Sequence, residues 1–307
     1  MNKNYDLEDL ANFYYNMFFS NLINDLHGIL AGPDSSITNK DRDWYRLQQK
    51  ELLTIPYESP GGKRYELFAD LIKNVSNQKK TLILLHGFSG KADNTGAWVK
   101  QFYELGFDIL TPDLRGHGRN TELNRNFGLH DNEDLLKWIN KIVTISPGHD
   151  IVLMGISMGA GTMLQTMSSD TILSNVKAAI SDSSYRSTVE SLIINIGLVL
   201  PFLSYEDILA VKDVVNDLLF KDQLIKLEDG LTIDKITHSS YIPLCSISGR
   251  YDPLVSPEVT QNIIDAHNNP KDMVFICDNA IHQNSIATDN KKYRDFIHNF
   301  LKNSGVI

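Results

Sequence analysis

Six short, mostly apolar runs recur along the chain, each followed by a polar loop and then by a helical pattern or a longer insertion. They fall at residues 81–85, 107–110, 151–154, 176–180, 242–248 and 273–277. An apolar run without alternation has no face to offer solvent, so such strands are buried on both sides. Helical patterns at 97–105, 132–143, 158–167, 257–267 and 291–301 supply the covering layers. In the second of these, Leu135, Leu136, Ile139 and Ile142 are expected on one buried face. A mostly parallel sheet with helices on both faces satisfies this order. Residues 51–58 and 63–72 alternate instead, and Ser59-Pro-Gly-Gly62 between them predicts a turn joining two strands.

The rhythm breaks once. Residues 186–240 separate two of the strands and carry helical apolar patterns but no strand pattern. An insertion there lies over the carboxyl ends of the strands, where open α/β sheets bind ligands. The expected organisation is therefore an N-terminal helical extension (1–50), a core (51–185), a helical cap (186–240) and the rest of the core (241–307). Cap residues 198–203 are expected to line a pocket together with Phe88 and Met158. In the extension, Leu7, Leu10, Tyr14, Phe18 and Leu22 recur at helical spacing. Interrupting asparagines and the near absence of Lys or Arg argue against spanning or lying on a membrane. Packing on the main domain is the expected role, with contact to the cap or to a second copy as the alternatives. The oligomeric state is left open.

The chain of 307 residues is 42% hydrophobic and 22% charged, an ordinary balance for a soluble globular protein. A net charge of −9 leaves no basic stripe for phosphates, so nucleic acid is not an expected partner. Cys245 and Cys277 both sit in apolar runs and read as buried reduced thiols, consistent with a cytoplasmic location.

The chemistry concentrates at Gly155-Ile-Ser-Met-Gly159, directly after the run at 151–154 and before a helical pattern. A tight strand-to-helix turn lifts Ser157 above the sheet edge and needs glycine on either side. A serine hydroxyl is a poor nucleophile without a base in hydrogen-bond reach. His282, in the loop after the last strand, is the candidate base. His86 and His117 lie in glycine-flanked loops and are expected to orient backbone. His27, His130, His149, His238, His267 and His298 read as surface or helix residues. A carboxylate must then fix the imidazole. Asp252, in Gly249-Arg-Tyr-Asp252-Pro, is the first choice; Asp182 is the rival, and Asp278 is assigned to a strand end. The amides of Met158 and Phe88 are the candidate oxyanion donors. No metal or organic cofactor is expected.

Taken together, His86-Gly-Phe88, Pro112-Asp-Leu-Arg-Gly-His-Gly118, Gly155-Ile-Ser-Met-Gly-Ala160, Gly249-Arg-Tyr-Asp252-Pro and His282 resemble the α/β-hydrolase superfamily over residues 51–307. The chain order Ser157, Asp252, His282 is the order of that superfamily. The N-terminal aromatic helix, Glu133-Asp-Leu-Leu-Lys-Trp138 and Ala280-Ile-His-Gln-Asn-Ser285 are similar to a branch of bacterial serine hydrolases of mostly unassigned substrate. Asn120 departs from a serine often found there, which touches substrate preference rather than chemistry. The resemblance implies a small-molecule ester substrate, a short acyl chain and an acyl-enzyme. Amidase, peptidase or thioesterase activity, or ligand binding with little turnover, stands as the alternative.

Overall fold

The computed structural model describes residues 5–20, 36–59, 62–76, 78–169, 174–239 and 241–307. Among these residues eight strands form one sheet in the order β1-β2-β4-β3-β5-β6-β7-β8. They are β1 (Glu51–Glu58), β2 (Arg64–Ile72), β3 (Lys80–Leu85), β4 (Asp108–Pro112), β5 (Asp150–Ile156), β6 (Val176–Asp182), β7 (Leu244–Gly249) and β8 (Met273–Cys277). β1–β2 and β2–β4 pair antiparallel and every other neighbour is parallel. The expected turn between β1 and β2 closes with Gly62 N–H donating to the Ser59 carbonyl at 2.8 Å and Gly62 at φ +77°. The middle of that turn, Pro60 and Gly61, lies outside the described residues.

Among the described residues nine helices carry the layers: α1 (Leu7–Phe18), α2 (Ser36–Leu47), α3 (Gly96–Glu104), α4 (Asp131–Ile145), α5 (Met158–Met167), α6 (Thr188–Val199), α7 (Tyr205–Gln223), α8 (Pro257–His267) and α9 (Asn290–Ser304). Single helical turns add Ile233–Ile236 and Ser285–Thr288. The sheet's period of two divides its strands between two cores. Ile83, Leu85, Ile151, Leu153, Ala179 and Leu244 face α4, α5 and α8. Their neighbours Leu82, Leu84, Val152, Met154, Ile180 and Cys245 face α3 and α9.

The buried face of α4 differs in one position from expectation. Leu135, Trp138, Ile139 and Ile142 are buried, whereas Leu136 is only partly so. One residue is 100° of rotation on a helix, so Leu136 falls off the stripe that Trp138 completes. Cys245 and Cys277 are buried free thiols.

A third apolar cluster lies outside these layers. Tyr14, Tyr15, Phe18 and Phe19 of the N-terminal segment pack against Leu192 and Ile196 of α6 and Val211, Val215 and Leu219 of α7. The N-terminal helix therefore packs on the insertion. Its buried face is Ala11, Tyr14, Tyr15 and Phe18, with Leu7 and Leu10 only partly covered. Leu22 and His27 lie outside the described residues.

Candidate active site

β5 delivers Ser157 to the carboxyl edge of the sheet, and α5 begins at the next residue. Ser157 sits at φ +52°, ψ −116°, a backbone conformation costly for a residue with a Cβ. Surrounding bonds hold it there. Its N–H donates to the Asp182 carbonyl at 2.8 Å, and its carbonyl accepts from Ala160 (2.9 Å) and Gly161 (3.0 Å). The flanking glycines are required sterically. A Cβ on Gly155 would lie 2.4 Å from Ala160 Cα, and one on Gly159 would lie 2.5 Å from the Leu85 carbonyl oxygen. This close approach sets the first turn of α5 against the end of β3.

The loop after β8 brings His282 over this turn. Ser157 Oγ lies 2.8 Å from His282 Nε2, and His282 Nδ1 lies 2.7 Å from Asp252 Oδ2. The Asp252 side chain is fully buried, and its Oδ1 accepts the N–H groups of Leu254 and Val255, each at 2.9 Å. With the carboxylate as acceptor, Nδ1–H donates to Asp252 and Nε2 is left to accept the serine proton. Three residues far apart in sequence thus form one hydrogen-bonded line. The arrangement can deprotonate Ser157 as it attacks and steady the resulting imidazolium.

Asp182, the rival acid, is occupied elsewhere. Its Oδ2 accepts Trp98 Nε1–H (3.0 Å) and Tyr293 O–H (2.8 Å), and its Oδ1 accepts Ser183 O–H (3.1 Å). Complete burial pushes its carboxyl above the usual range. Asp278 pairs with Arg250 at the surface, 2.6 Å away.

Phe88 and Met158 lie on the two segments that flank Ser157. The Phe88 loop is tied down by His86, which accepts the Leu114 N–H at Nε2 (3.0 Å) and donates from Nδ1 to the Gly87 carbonyl (2.8 Å). His117 donates from Nδ1 to the Arg115 carbonyl at 2.8 Å. Burial, reinforced by His86 and Arg125, pushes its imidazole well down, so it is neutral. Both histidines orient backbone, as their glycine-flanked loops suggested. His267 ends α8 but is fully buried, between Asp272 (2.7 Å) and the Ser239 carbonyl (3.1 Å).

The loop containing Asn120 is knitted to itself. Asn120 Nδ2–H donates to the Asp113 carbonyl at 2.6 Å, and Arg119 pairs with Asp113 and Asp70. Two expected pocket residues are placed differently. Leu200 and Leu203 are buried in the cluster with α1, whereas Leu198 and Phe202 are half exposed. A cavity of about 310 Å³ lined by Tyr57, Tyr65, Arg115, His130 and Gln223 contains none of the candidate catalytic residues.

Two residues that the sequence placed only within a pattern, Gln283 and Phe18, lie beside the loops of the site. Gln283 sits at φ +57° with its N–H 3.3 Å from Ser183 Oγ, and its side-chain amide fills the space a Cβ on Gly87 would need. Phe18 stacks on Phe88 from α1. Their roles depend on contacts more than 60 residues apart, which no local pattern reports. Among the described residues no group of three or more His, Cys, Asp or Glu could hold a metal ion. Nor is any helix among them long and apolar enough to cross a membrane.

The family model for the α/β hydrolase fold matches residues 80–206. An esterase of Pyrococcus furiosus, Pf2001, superposes with a TM-score of 0.62 over 89% of this chain and 97% of its own, at 19% identity. The chain has the α/β-hydrolase fold. Within that fold it is similar to the acylaminoacyl peptidase of Pyrococcus horikoshii, with a TM-score of 0.58 and 18% identity over 85% of this chain and 42% of that one. It is also 23% identical over 224 residues to the Bacillus subtilis protein YqkD, described as uncharacterized, covering 73% of this chain and 71% of that protein. An α/β-hydrolase fold hosts many reactions, so its presence alone does not assign one.

Proposed function

We propose that this chain is a serine hydrolase that cleaves carboxylic esters with short acyl chains. The observation that carries the reading is the line Ser157 Oγ–His282 Nε2 (2.8 Å) and His282 Nδ1–Asp252 (2.7 Å), built on a serine held at positive φ. Ser157 attacks the ester carbonyl and His282 takes its proton. The amides of Phe88 and Met158 receive the developing oxyanion, each such donor being worth roughly 3–4 kcal/mol of barrier. His282 then protonates the departing alcohol, leaving an acyl-enzyme, and activates the water that releases it.

Amidase or peptidase activity, which the same triad supports, is the second reading, kept because this fold is shared with both an esterase and an acylaminoacyl peptidase. The segment 186–240, joined by α1, serves as a cap over the site, which suits a bounded acyl pocket. The free thiols Cys245 and Cys277 suit a reducing, cytoplasmic setting.

The test is hydrolysis of para-nitrophenyl esters from acetate to decanoate by wild type and by Ser157→Ala. The expected result is turnover of the short esters and a loss of several orders of magnitude in the variant. Equal rates in the two proteins would refute the assignment of Ser157. Turnover of anilides or thioesters in place of esters would redirect the substrate class.

A further inference from the structure

Phe88 carries the backbone amide assigned above as an oxyanion donor, and its side chain is held between several rings and a guanidinium. Phe18 of α1 stacks on its ring, with centroids 5.4 Å apart and planes 30° from parallel. The His117 ring stands nearly perpendicular to it with centroids 5.7 Å apart, and the Arg125 guanidinium lies 5.8 Å from the ring centre. Phe18 is itself fixed. Tyr14, one turn earlier, stacks on it at 4.4 Å and donates its buried O–H to Asn195 Oδ1 of α6 at 2.5 Å. The end of α1 is tied to the same loop cluster, since Arg125 N–H donates to the Phe19 carbonyl (2.8 Å) and its Nη1 to the Ser20 carbonyl (3.0 Å). A continuous path of packed groups therefore runs from the insertion through Asn195, Tyr14 and Phe18 to the residue bearing the amide.

We propose that Phe18 is a positioning residue of the oxyanion site, stacking on Phe88 so that α1 and the insertion together hold the Phe88 N–H where the oxyanion forms. This rests on the serine-hydrolase reading. The physical reason is that a preorganised donor stabilises the transition state only if it need not move, and displacements near 1 Å can cost about 100-fold. Hydrogen bonds hold the loop on either side, through His86 and the Gly90 N–H on the Gly87 carbonyl (3.0 Å), while the Phe18 stack bears on Phe88 itself.

The test uses the full chain and the rate of Ser157 phosphonylation by a fluorophosphonate, whose phosphoryl oxygen occupies the oxyanion site whatever the natural substrate is. Phe18→Ala is expected to lower the maximal labelling rate about 10- to 50-fold with little change in probe affinity, in line with the cost of a misplaced donor. Phe18→Leu, which keeps the bulk, should recover most of the rate. Phe88→Ala should match Phe18→Ala, and the double variant should be no slower than either, because both remove one contact. Tyr15→Phe loses the α1 bond to Asp222 (2.5 Å) without touching Phe88 and should label at the wild-type rate. Should Phe18→Ala fail to fold, Phe88→Ala against Phe88→Leu carries the test from the other side of the contact. Wild-type labelling in the Phe18 and Phe88 variants, or an equal loss in Tyr15→Phe, overturns the proposal while leaving Ser157 as nucleophile. Undiminished labelling in Ser157→Ala overturns the hydrolase reading and this one with it.

Discussion

At the scale of single residues, the site turns on which of two acids serves His282. Asp252 spends one oxygen on two backbone N–H groups and the other on the imidazole. Asp182 spends both on Trp98, Tyr293 and Ser183. The two should separate cleanly on substitution. Asp252→Asn keeps the shape but is expected to hold His282 in the wrong tautomer and lower kcat by about 10⁴. Asp182→Ala strips acceptors from buried donors and should lower the melting temperature, while the folded protein keeps kcat within a few-fold. Steady-state kinetics beside thermal melts checks both, and comparable kcat losses in the two variants would mean that the acid has been misassigned. Sequence position ranked Asp252 first, but both acids sit at the same sheet edge, Asp182 at the end of β6 and Asp252 just after β7. The partners each oxygen meets are what separate the two in the fold.

At the scale of elements, α4 begins on a conflict. Asp131 opens the helix, where the helix dipole favours a negative charge, and its Oδ1 accepts the Arg115 N–H at 2.9 Å. Burial wins, followed by repulsion from Asp134, and its carboxyl is pushed up to about 7. Between the ordinary carboxylate value of 3.8 and about 7, the native chain holds a proton that the unfolded chain has released. Stability contributed by Asp131 is therefore full below pH 4 and lost as pH rises through that window. Asp131→Asn, which keeps the acceptor, should flatten the fall in melting temperature between about pH 5 and 8 and raise it at the alkaline end. Parallel melting curves for wild type and variant would show that Asp131 does not titrate there. The α5 helix carries the opposite lesson. Its start was readable from Gly155 and Gly159, since only glycine permits the approach to β3 and to α5 itself.

At the scale of the whole molecule, α1 and the insertion are not ornaments on an independent core. Phe88 and Phe127 pack against both the cluster under α4 and α5 and the cluster formed by α1, α6 and α7. Tyr5, Tyr14 and Tyr15 each donate an O–H into the insertion helices, to Asp207, Asn195 and Asp222. Shared side chains couple the stability of the layers, so calorimetry should show one transition, with the insertion melting together with the sheet. Tyr14→Phe leaves Asn195 Oδ1 buried without its donor and should shift that single transition down by about 1–2 kcal/mol. A separate low-temperature transition would mean that the N-terminal helix and insertion fold on their own.

What the sequence determined by itself is the sheet and the edge that carries Ser157. Doubly buried strands must be apolar throughout, and the runs at 81–85 and 151–154 lie within β3 and β5, whereas the run at 273–277 is the edge strand β8, four of whose five residues are only partly buried. The serine turn was equally legible, because steric exclusion acts between neighbours in the chain. Tertiary structure alone decided the rest. It made Trp138 rather than Leu136 the buried residue of α4, placed Leu200 and Leu203 under α1, and set Phe18 against Phe88. Each of those outcomes depends on which surface a side chain meets across the fold. Hydrophobic pattern records that a residue is buried, and it carries no information about the partner against which it is buried.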